Sequence, residues 1–467
     1  MSSTASAIWW CRRDLRLADN PALVAAVDAA RRDDGEVVAL YVLDPRLRDV
    51  AGSPRLSYLA RSLAALDEAT GGRLVVRRGD PRAVVPAVAR EVEAAEVHVA
   101  ASFEPYGVAR DGAVETTLPD AGARLVRTGS PYAVAPGRVL TKQGGPFQVF
   151  TPFRDAWVEH GWRDPAPRPR SVPWADVRSD SLPDDPGTDA DLPPAGEAAA
   201  RRRWHAFLAD HLAGYSSERD RPDRPATSGM SIPLKWGELH PRTLLADVRD
   251  AVHEARHDGA DISDDALAYR SELAWREFHA DVLFHQPGAA HRSLRDVVPD
   301  DAWATGAEED RFLAAWAAGR TGYPLVDAGM RQLLGEGWMH NRVRMVVASF
   351  LVKDLHVRWQ RGAAHFMAHL ADGDVSQNQL NWQWVAGTGR DAAPYFRIFN
   401  PVTQSKKFDP DGTYVRRWVP ELRGVEGNAV HEPWTLREQP GGYPERIVDH
   451  AEERKVSLDD FERGRRR

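Results

Sequence analysis

Asn20-Pro21-Ala22-Leu23-Val24-Ala25-Ala26-Val27-Asp28-Ala29-Ala30-Arg31 is followed, a few residues on, by Val37-Val38-Ala39-Leu40-Tyr41-Val42-Leu43. The first stretch is amphipathic with a helical period and places a proline in its first turn, and the second is a β-rich run. The same alternation extends to either side. Short β-rich runs lie at 7–11, 73–78, 97–101 and 124–127, and further amphipathic stretches at 54–69 and 81–95. Strand, helix, strand at this spacing predicts βαβ units and a parallel sheet with helices on both faces. Such sheets take ligands at the carboxyl ends of their strands. The turn after the first run reads Arg12-Arg13-Asp14-Leu15-Arg16, without glycine, so the usual dinucleotide signature is missing there.

From about residue 162 to 194 the composition shifts to Pro, Asp, Ser and Arg without periodicity, which describes a linker, either wrapped over a surface or flexible. From 198 onward the pattern is almost entirely helical, with candidate helices at 264–286, 308–318, 324–334, 339–355 and 363–371. The expected fold class is α/β plus all-α. A Rossmann-like parallel-sheet domain is expected over 1–130, a connector over 131–197 and a large all-helical domain over 198–467.

The chain of 467 residues is 43% apolar and carries a net charge of −7, from 61 basic and 68 acidic residues. That excludes wholesale disorder and a uniformly basic nucleic-acid coat, but not a local basic patch. No uncharged apolar run approaches the ~18 residues of a membrane helix; the best, 345–352, is stopped by Arg344 and Lys353. The apolar residues 5–11 have no basic region before them and no small-residue cleavage site after them, so a cytoplasmic protein without a signal peptide is expected. The single cysteine, Cys11, excludes an internal disulfide framework and a multi-thiolate metal cluster. Eleven of the 16 tryptophans lie after residue 200. Core filling accounts for most of them, not obviously for all.

Several clusters carry possible chemistry. His253-Glu254-Ala255-Arg256-His257 fits an H-E-x-x-H pattern, but Asp258-Gly259 follows at once and the neighbours look like a solvated helix end, against a buried zinc site. His365 and His369 share the i, i+4 spacing without an obvious third ligand. In Ser271-Glu272-Leu273-Ala274-Trp275-Arg276-Glu277-Phe278-His279, helical spacing puts Glu272, Trp275, Arg276 and His279 on one face, with Leu273 and Phe278 pointing elsewhere. That face suits a polar site with an aromatic platform; it also describes a surface helix with a Glu–Arg pair. In Trp338-Met339-His340-Asn341-Arg342-Val343-Arg344-Met345, Asn341 and Met345 lie one turn apart with Arg342 beside them. Asp372-Gly373-Asp374 precedes Asn378 and Trp382-Gln383-Trp384, and its carboxylates suit a heterocycle, a ribose or the cap of the next helix. Downstream, Arg397, Lys406, Lys407, Arg416 and Arg417 interleave with Tyr395, Phe396, Phe399, Phe408, Tyr414 and Trp418. A nucleic-acid groove needs such a mixture, and so does an amphipathic surface with snorkelling cations.

Taken in order, these motifs resemble those of the photolyase/cryptochrome flavoproteins, and within them the class I cyclobutane pyrimidine dimer photolyases. The resemblance runs through residues 10–17 and 272–278, then Thr321-Gly322-Tyr323-Pro324-Leu325-Val326-Asp327-Ala328-Gly329-Met330-Arg331, 338–345 and 391–401, covering nearly the whole chain. It implies a reduced FAD in the helical domain and a pyrimidine dimer flipped out of double-stranded DNA into the same cavity. Excited by light, the flavin would lend the dimer an electron, split the cyclobutane ring and recover the electron.

The resemblance also implies roles for individual residues. Glu272 matches the acid that hydrogen-bonds the dimer. Trp275 and Trp384 match aromatic walls, with Asn341 and Met345 completing the pocket. Arg276 and Arg342 would hold flanking phosphates, with Arg397 and Lys406 on the DNA side. Asn378 matches the residue beside the flavin's N5, and Asp372 and Asp374 match carboxylates near the flavin and its ribityl–ribose region, with Arg344 paired to Asp372. Tyr215 and Thr227-Ser228-Gly229-Met230-Ser231 match the phosphate-binding segment. Trp382, Trp359 and Trp303 match the tryptophan chain that carries electrons to an oxidised flavin.

Two departures stand out. Gly229 sits where the family commonly has a basic residue, which removes a charge-assisted contact. Gln379-Leu380-Asn381 stands where small glycines are usual. Segments 44–47 and 103–107 resemble the deazaflavin-type branch, so an antenna chromophore, deazaflavin or folate, belongs to the expectation. The alternative is a cryptochrome-type blue-light receptor or a six-four photoproduct enzyme. Asn341 and Asn378, where plant-type receptors resemble an aspartate pattern, weigh against it, as do Met345 and the absence of a long tail after Arg463. A monomer without membrane contacts is expected.

Overall fold

The computed structural model describes residues 6–390, 397–438 and 440–466. Five strands, β1 (Ala7–Trp10), β2 (Val37–Leu43), β3 (Leu74–Arg78), β4 (Glu96–Val99) and β5 (Arg124–Arg127), form one sheet in the order β3-β2-β1-β4-β5. Every pairing is parallel. Alternate residues serve two cores. Trp9, Val37, Ala39 and Val76 face one side, and Ile8, Trp10, Val38, Leu40, Val75 and Val97 face the other. Both faces are buried, as a doubly covered parallel sheet requires. The helix Pro21–Arg32 starts where expected because the Asn20 side chain accepts from the Leu23 N–H and proline fills the first turn. The helix expected over 81–95 stops at Glu91, as Pro81–Glu91, two residues before Glu93 turns into the left-handed region.

The turn after β1 holds itself together without glycine. Asp14 accepts from the Arg12 N–H and the Trp9 indole, and Asn20 donates to the Asp14 carbonyl. The glycine that this turn requires lies elsewhere in the chain: Gly237 has φ +70°, and a Cβ there would come within 1.9 Å of the Arg13 carbonyl oxygen. The connector is laid against the sheet. Val37 bridges Trp174 and Val76 bridges Asp180, so the non-periodic segment runs along the sheet. Its first part contains a helix, Phe150–His160, that the sequence reading left out.

The described residues form two compact units. One contains the sheet and residues up to Thr188, with Pro193–Ala213 and Ser228–Pro287. It includes the helices Glu197–Asp210, Pro241–His257 and Ser263–His285. The other contains Asp189–Leu192, Gly214–Thr227 and the chain from Gly288 onward. Its core gathers Val326, Met330, Val346, Phe350, Trp359, Trp382 and Tyr414 from successive helices. Here the helix expected over 339–355 is Asn341–Lys353, because the His340 ring Nδ1 caps it by accepting from the Arg342 N–H. The helix expected over 363–371 begins earlier, as Trp359–His369. No helix among the described residues is long and apolar enough to cross a membrane.

Candidate functional site

In the sheet-containing unit, Glu272, Trp275 and Arg276 are half-buried on the helix Ser263–His285, and His279 is buried below them. Trp275 lies 5.5 Å from the His279 ring, centroid to centroid. Phe150 stacks on the indole at 3.7 Å with the planes 7° apart. Phe278, expected on another face, meets Trp275 edge-on at 5.8 Å, because side chains three apart on a helix are neighbours. The Arg276 guanidinium lies 4.6 Å above the Tyr132 ring and donates to the carbonyls of Pro131 and Leu234. Sequence reasoning missed Phe150 and Tyr132. The repeat Phe147, Phe150, Phe153, at i, i+3 spacing running into the overlooked helix Phe150–His160, is the signal that points to Phe150.

Glu277 anchors this arrangement. Its carboxylate accepts from the N–H groups of Ala133 and Val134 and from the Trp157 indole, tying the loop under Arg276 to the helix. Burial pushes its carboxyl up to about 7, against the lowering effect of those donors. A carboxyl raised on folding holds a proton that the unfolded chain has released. Its stabilising contribution is full below about pH 4.3 and is lost as pH rises through 7. Urea unfolding at pH 5 and pH 8 is expected to show a loss of about 3 kcal/mol from this group. The loss should be absent in Glu277→Gln; an equal loss in that variant would place it in another group.

The expected phosphate segment is a tight turn into the helix Ser231–Trp236. The Ser228 hydroxyl shares a 3.0 Å hydrogen bond with the Tyr269 hydroxyl and accepts from the Met230 N–H. Met230 is buried and Ser231 exposed. Gly229 has φ +64°, a left-handed conformation that a basic side chain would occupy only with strain. In the other unit, Tyr215 is buried at the start of a short helix and Thr227 is half-buried.

In that second unit, Asn341 is exposed at the first turn of Asn341–Lys353, with Arg342 and Met345 half-buried behind it. The Met345 sulfur lies 3.7 Å from the Arg342 Nη1. Arg344 donates to both oxygens of Asp372, at 3.3 and 2.9 Å. That bidentate pair neutralises a carboxylate whose side chain is only 3% exposed. Asp374 caps the helix Val375–Ala386, accepting from the Gln377 N–H and the Ser376 hydroxyl.

Asn378 is buried on the same helix. Its amide donates to the Ala363 carbonyl at 3.0 Å and to Gln379 Oε1 at 2.8 Å, and Gln379 donates onward to the Ala290 carbonyl. Both amide hydrogens are engaged, so Oδ1 is the atom that remains to accept from a ligand. Gln379, a departure from the family pattern, thus orients Asn378. Leu380 is buried and Asn381 is exposed, donating to the Gln377 carbonyl. A neutralised acid, a capped acid and an amide presenting one acceptor suit the polar edge of an isoalloxazine–ribityl group.

Trp382 is buried, 5.0 Å from Phe366 and 6.1 Å from Trp316, both edge-on. Trp384, two residues on, is half-buried against the same core. Trp359 is buried and donates from its indole to Ser293 Oγ, and Trp303 is half-buried under the Arg358 guanidinium at 5.5 Å. Among the expected DNA-facing cations, Arg397 is exposed, and its carbonyl accepts from the buried Lys353 amine. Lys406 is paired with Glu432 and Arg417 with Glu336. Tyr395, Phe396 and the first six residues of the 391–401 motif lie outside the described residues.

The histidine patterns gather no metal set. His253, Glu254 and His257 are exposed. His365 and His369 stack at 4.3 Å, and burial holds the His365 ring down at about 4. No group of three or more His, Cys, Asp or Glu among the described residues is placed to hold a metal ion. At the carboxyl end of β1, the guanidiniums of Arg12 and Arg110 lie 4.6 and 5.2 Å from the Trp10 ring and both pair with Asp111. Nearby, the Tyr106 hydroxyl donates to Asp44.

Comparison with known proteins gives these features a family context. Residues 7–170 match the family model described as DNA photolyase, and residues 269–463 match that of the FAD binding domain of DNA photolyase. The chain is 45% identical to the deoxyribodipyrimidine photo-lyase of Streptomyces griseus, over 97% of each chain. A bacterial class III photolyase from Agrobacterium tumefaciens is similar in structure, with a TM-score of 0.90 and 38% identity, covering 100% of this chain and 99% of that one. So is a cryptochrome from Synechocystis, with a TM-score of 0.87 and 28% identity over 98% and 99%.

Proposed function

The chain belongs to the DNA photolyase family, and from that premise we propose that it is a deoxyribodipyrimidine photo-lyase, a light-driven enzyme that splits cyclobutane pyrimidine dimers in double-stranded DNA. The observation that carries this reading is the likeness, along nearly the full length of both chains, to a protein of that activity. FAD, the cofactor of the matched domain, supplies when reduced and excited the electron that opens the ring.

The rest is the work of this chain's side chains. Asn378 Oδ1, oriented by Gln379 and the Ala363 carbonyl, accepts a hydrogen bond from the flavin edge. Arg344 holds Asp372 in place beside it through their bidentate pair. Tyr215, Thr227, Ser228, Met230 and Ser231 hold the phosphates. Glu272 hydrogen-bonds the dimer and Trp275 is an aromatic wall for it; Trp384, Asn341 and Met345 are further dimer-binding residues. Phe150 fixes the plane of the Trp275 wall by stacking on it. Arg276, Arg342, Arg397 and Lys406 serve the DNA backbone. Trp382, Trp359 and Trp303 relay electrons that restore the reduced state. In this reading 1–130 carries an antenna, 131–197 connects and 198–467 holds FAD and DNA. The antenna is a deazaflavin or a folate at the carboxyl edge of the sheet, a position that the Arg12, Arg110 and Tyr106 cluster supports. The protein acts as a monomer in the cytoplasm.

The test is direct. The purified protein, reduced anaerobically and mixed with ultraviolet-damaged oligothymidine, is expected to remove dimers under blue light and not in the dark. Flavin-loaded protein that leaves dimers intact in the light would support a cryptochrome-type receptor or another lesion instead.

A further inference from the structure

Arg342 is already engaged within its own unit. Its Nε lies 3.2 Å from Asp220 Oδ1 and its Nη2 2.9 Å from Asp220 Oδ2, a fork-to-fork pair. Its guanidinium carbon sits 4.5 Å over the Phe408 ring. The neighbouring cation Arg221 does not compete for Asp220, because it makes its own two bonds to Asp223, at 2.8 and 2.6 Å. The side chains of Arg342 and Asp220 are 18% and 34% exposed, so DNA can reach the pair.

A guanidinium has five N–H donors, and Asp220 takes two of them. One Nη1 hydrogen goes to the Met345 sulfur at 3.7 Å, and the remaining two, one on Nη1 and one on Nη2, are held at a fixed angle by the carboxylate and the ring. Resting on the reading of Arg342 as a backbone contact, we propose that Asp220 is a positioning residue that makes this contact selective for damaged DNA. It cancels the charge that Arg342 would otherwise offer to any phosphate, and it aims the remaining donors at one phosphate position. Undamaged DNA, bound chiefly through charge, gains little from a neutralised pair. DNA held in one register by an inserted dimer presents its phosphate where the free edge points. Charge is removed from non-specific binding, and geometry is kept for specific binding.

The experiment uses the full-length, FAD-loaded protein with matched duplexes, one with a single thymine dimer and one undamaged, titrated across a salt series in the dark. Asp220→Asn is expected to bind undamaged DNA about tenfold more tightly at low salt, with a log K against log salt slope steeper by about 0.9. Its preference for the damaged duplex should fall about tenfold, and Asp220→Glu should restore it. In an Arg342→Gln background, Asp220→Asn should leave the damaged-to-undamaged ratio unchanged, since Asp220 acts only through Arg342. Asp220→Ser serves if the amide disturbs the fold, judged by flavin content. An unchanged ratio in Asp220→Asn, or the same fall in the Arg342→Gln background, would overturn the proposal. An Arg342→Gln protein that binds damaged DNA as well as the parent would instead remove the reading beneath it, that Arg342 touches the backbone.

Discussion

Glu272→Ala is expected to lower dimer splitting per bound flavin by about 10- to 100-fold, with flavin content unchanged. A hydrogen bond that involves a charged group contributes about 1.5–3 kcal/mol, which converts to a rate factor of that size. The position favours such a role. Glu272 is half-buried, one helical turn from the Trp275 indole, whose plane Phe150 fixes by stacking. A dimer that has accepted an electron is electron-rich, so a side chain assists it only by donating a hydrogen. Glu272→Gln keeps a donor of similar reach and is therefore expected to retain more activity than Glu272→Ala. Rates per flavin, measured on chemically reduced enzyme, decide the matter. Equal rates in the parent and the alanine variant would remove Glu272 from the chemistry, and equal losses in Gln and Ala would show that donating a hydrogen is not its part.

Much of the fold was readable because its signals are local. The change of period around 20–43, the proline in the first helical turn and the Asn20 cap act within one element, and β2 appears as expected. The motif 321–331 is a different case. It was legible as a family mark, and the structure supplies its physical reason. Buried Asp327 accepts from the Thr321 N–H and hydroxyl, the Gly322 N–H and the Tyr443 hydroxyl. Gly322, at φ +79°, lets the chain at Glu445 approach to within 2.4 Å of where a Cβ would stand. Those contacts brace the helical core. What periodicity hides is the partner far along the chain. A helical wheel places Trp275 and Arg342 on their faces, but no spacing rule reveals that Phe150 covers one or that Asp220 pairs with the other. Composition left two alternatives open in the connector, since Pro, Asp and Ser mark irregular backbone but do not say whether its N–H groups find a sheet. Gln379 was visible only as a departure, and its function as the orienter of Asn378 needs the positions of two carbonyls.

Trp382→Phe is expected to slow photoreduction of the oxidised flavin at least 100-fold, while enzyme reduced chemically beforehand continues to split dimers. Trp382 is buried, and its ring rests against Gly362, where a Cβ would lie 2.2 Å from the indole carbon Cη2. Phenylalanine fits that slot with a modest void, a loss expected to stay below the ~3–5 kcal/mol of a tryptophan truncated to alanine. The fold and the flavin are thus kept while a readily oxidised indole is removed. Phe366, at 5.0 Å, cannot replace it, since a phenyl ring gives up an electron far less readily than an indole. Beyond Trp382 the expected route runs through Trp359, tethered to Ser293, to Trp303, whose exposed side lets water stabilise a positive charge that Arg358 opposes. Removing Arg358 should therefore speed photoreduction if Trp303 ends the route. Flavin absorbance followed under blue light with an external reductant separates the cases. Persistent photoreduction in Trp382→Phe would place the route elsewhere, and Trp316, edge-on to Trp382 at 6.1 Å, would be the next ring to replace.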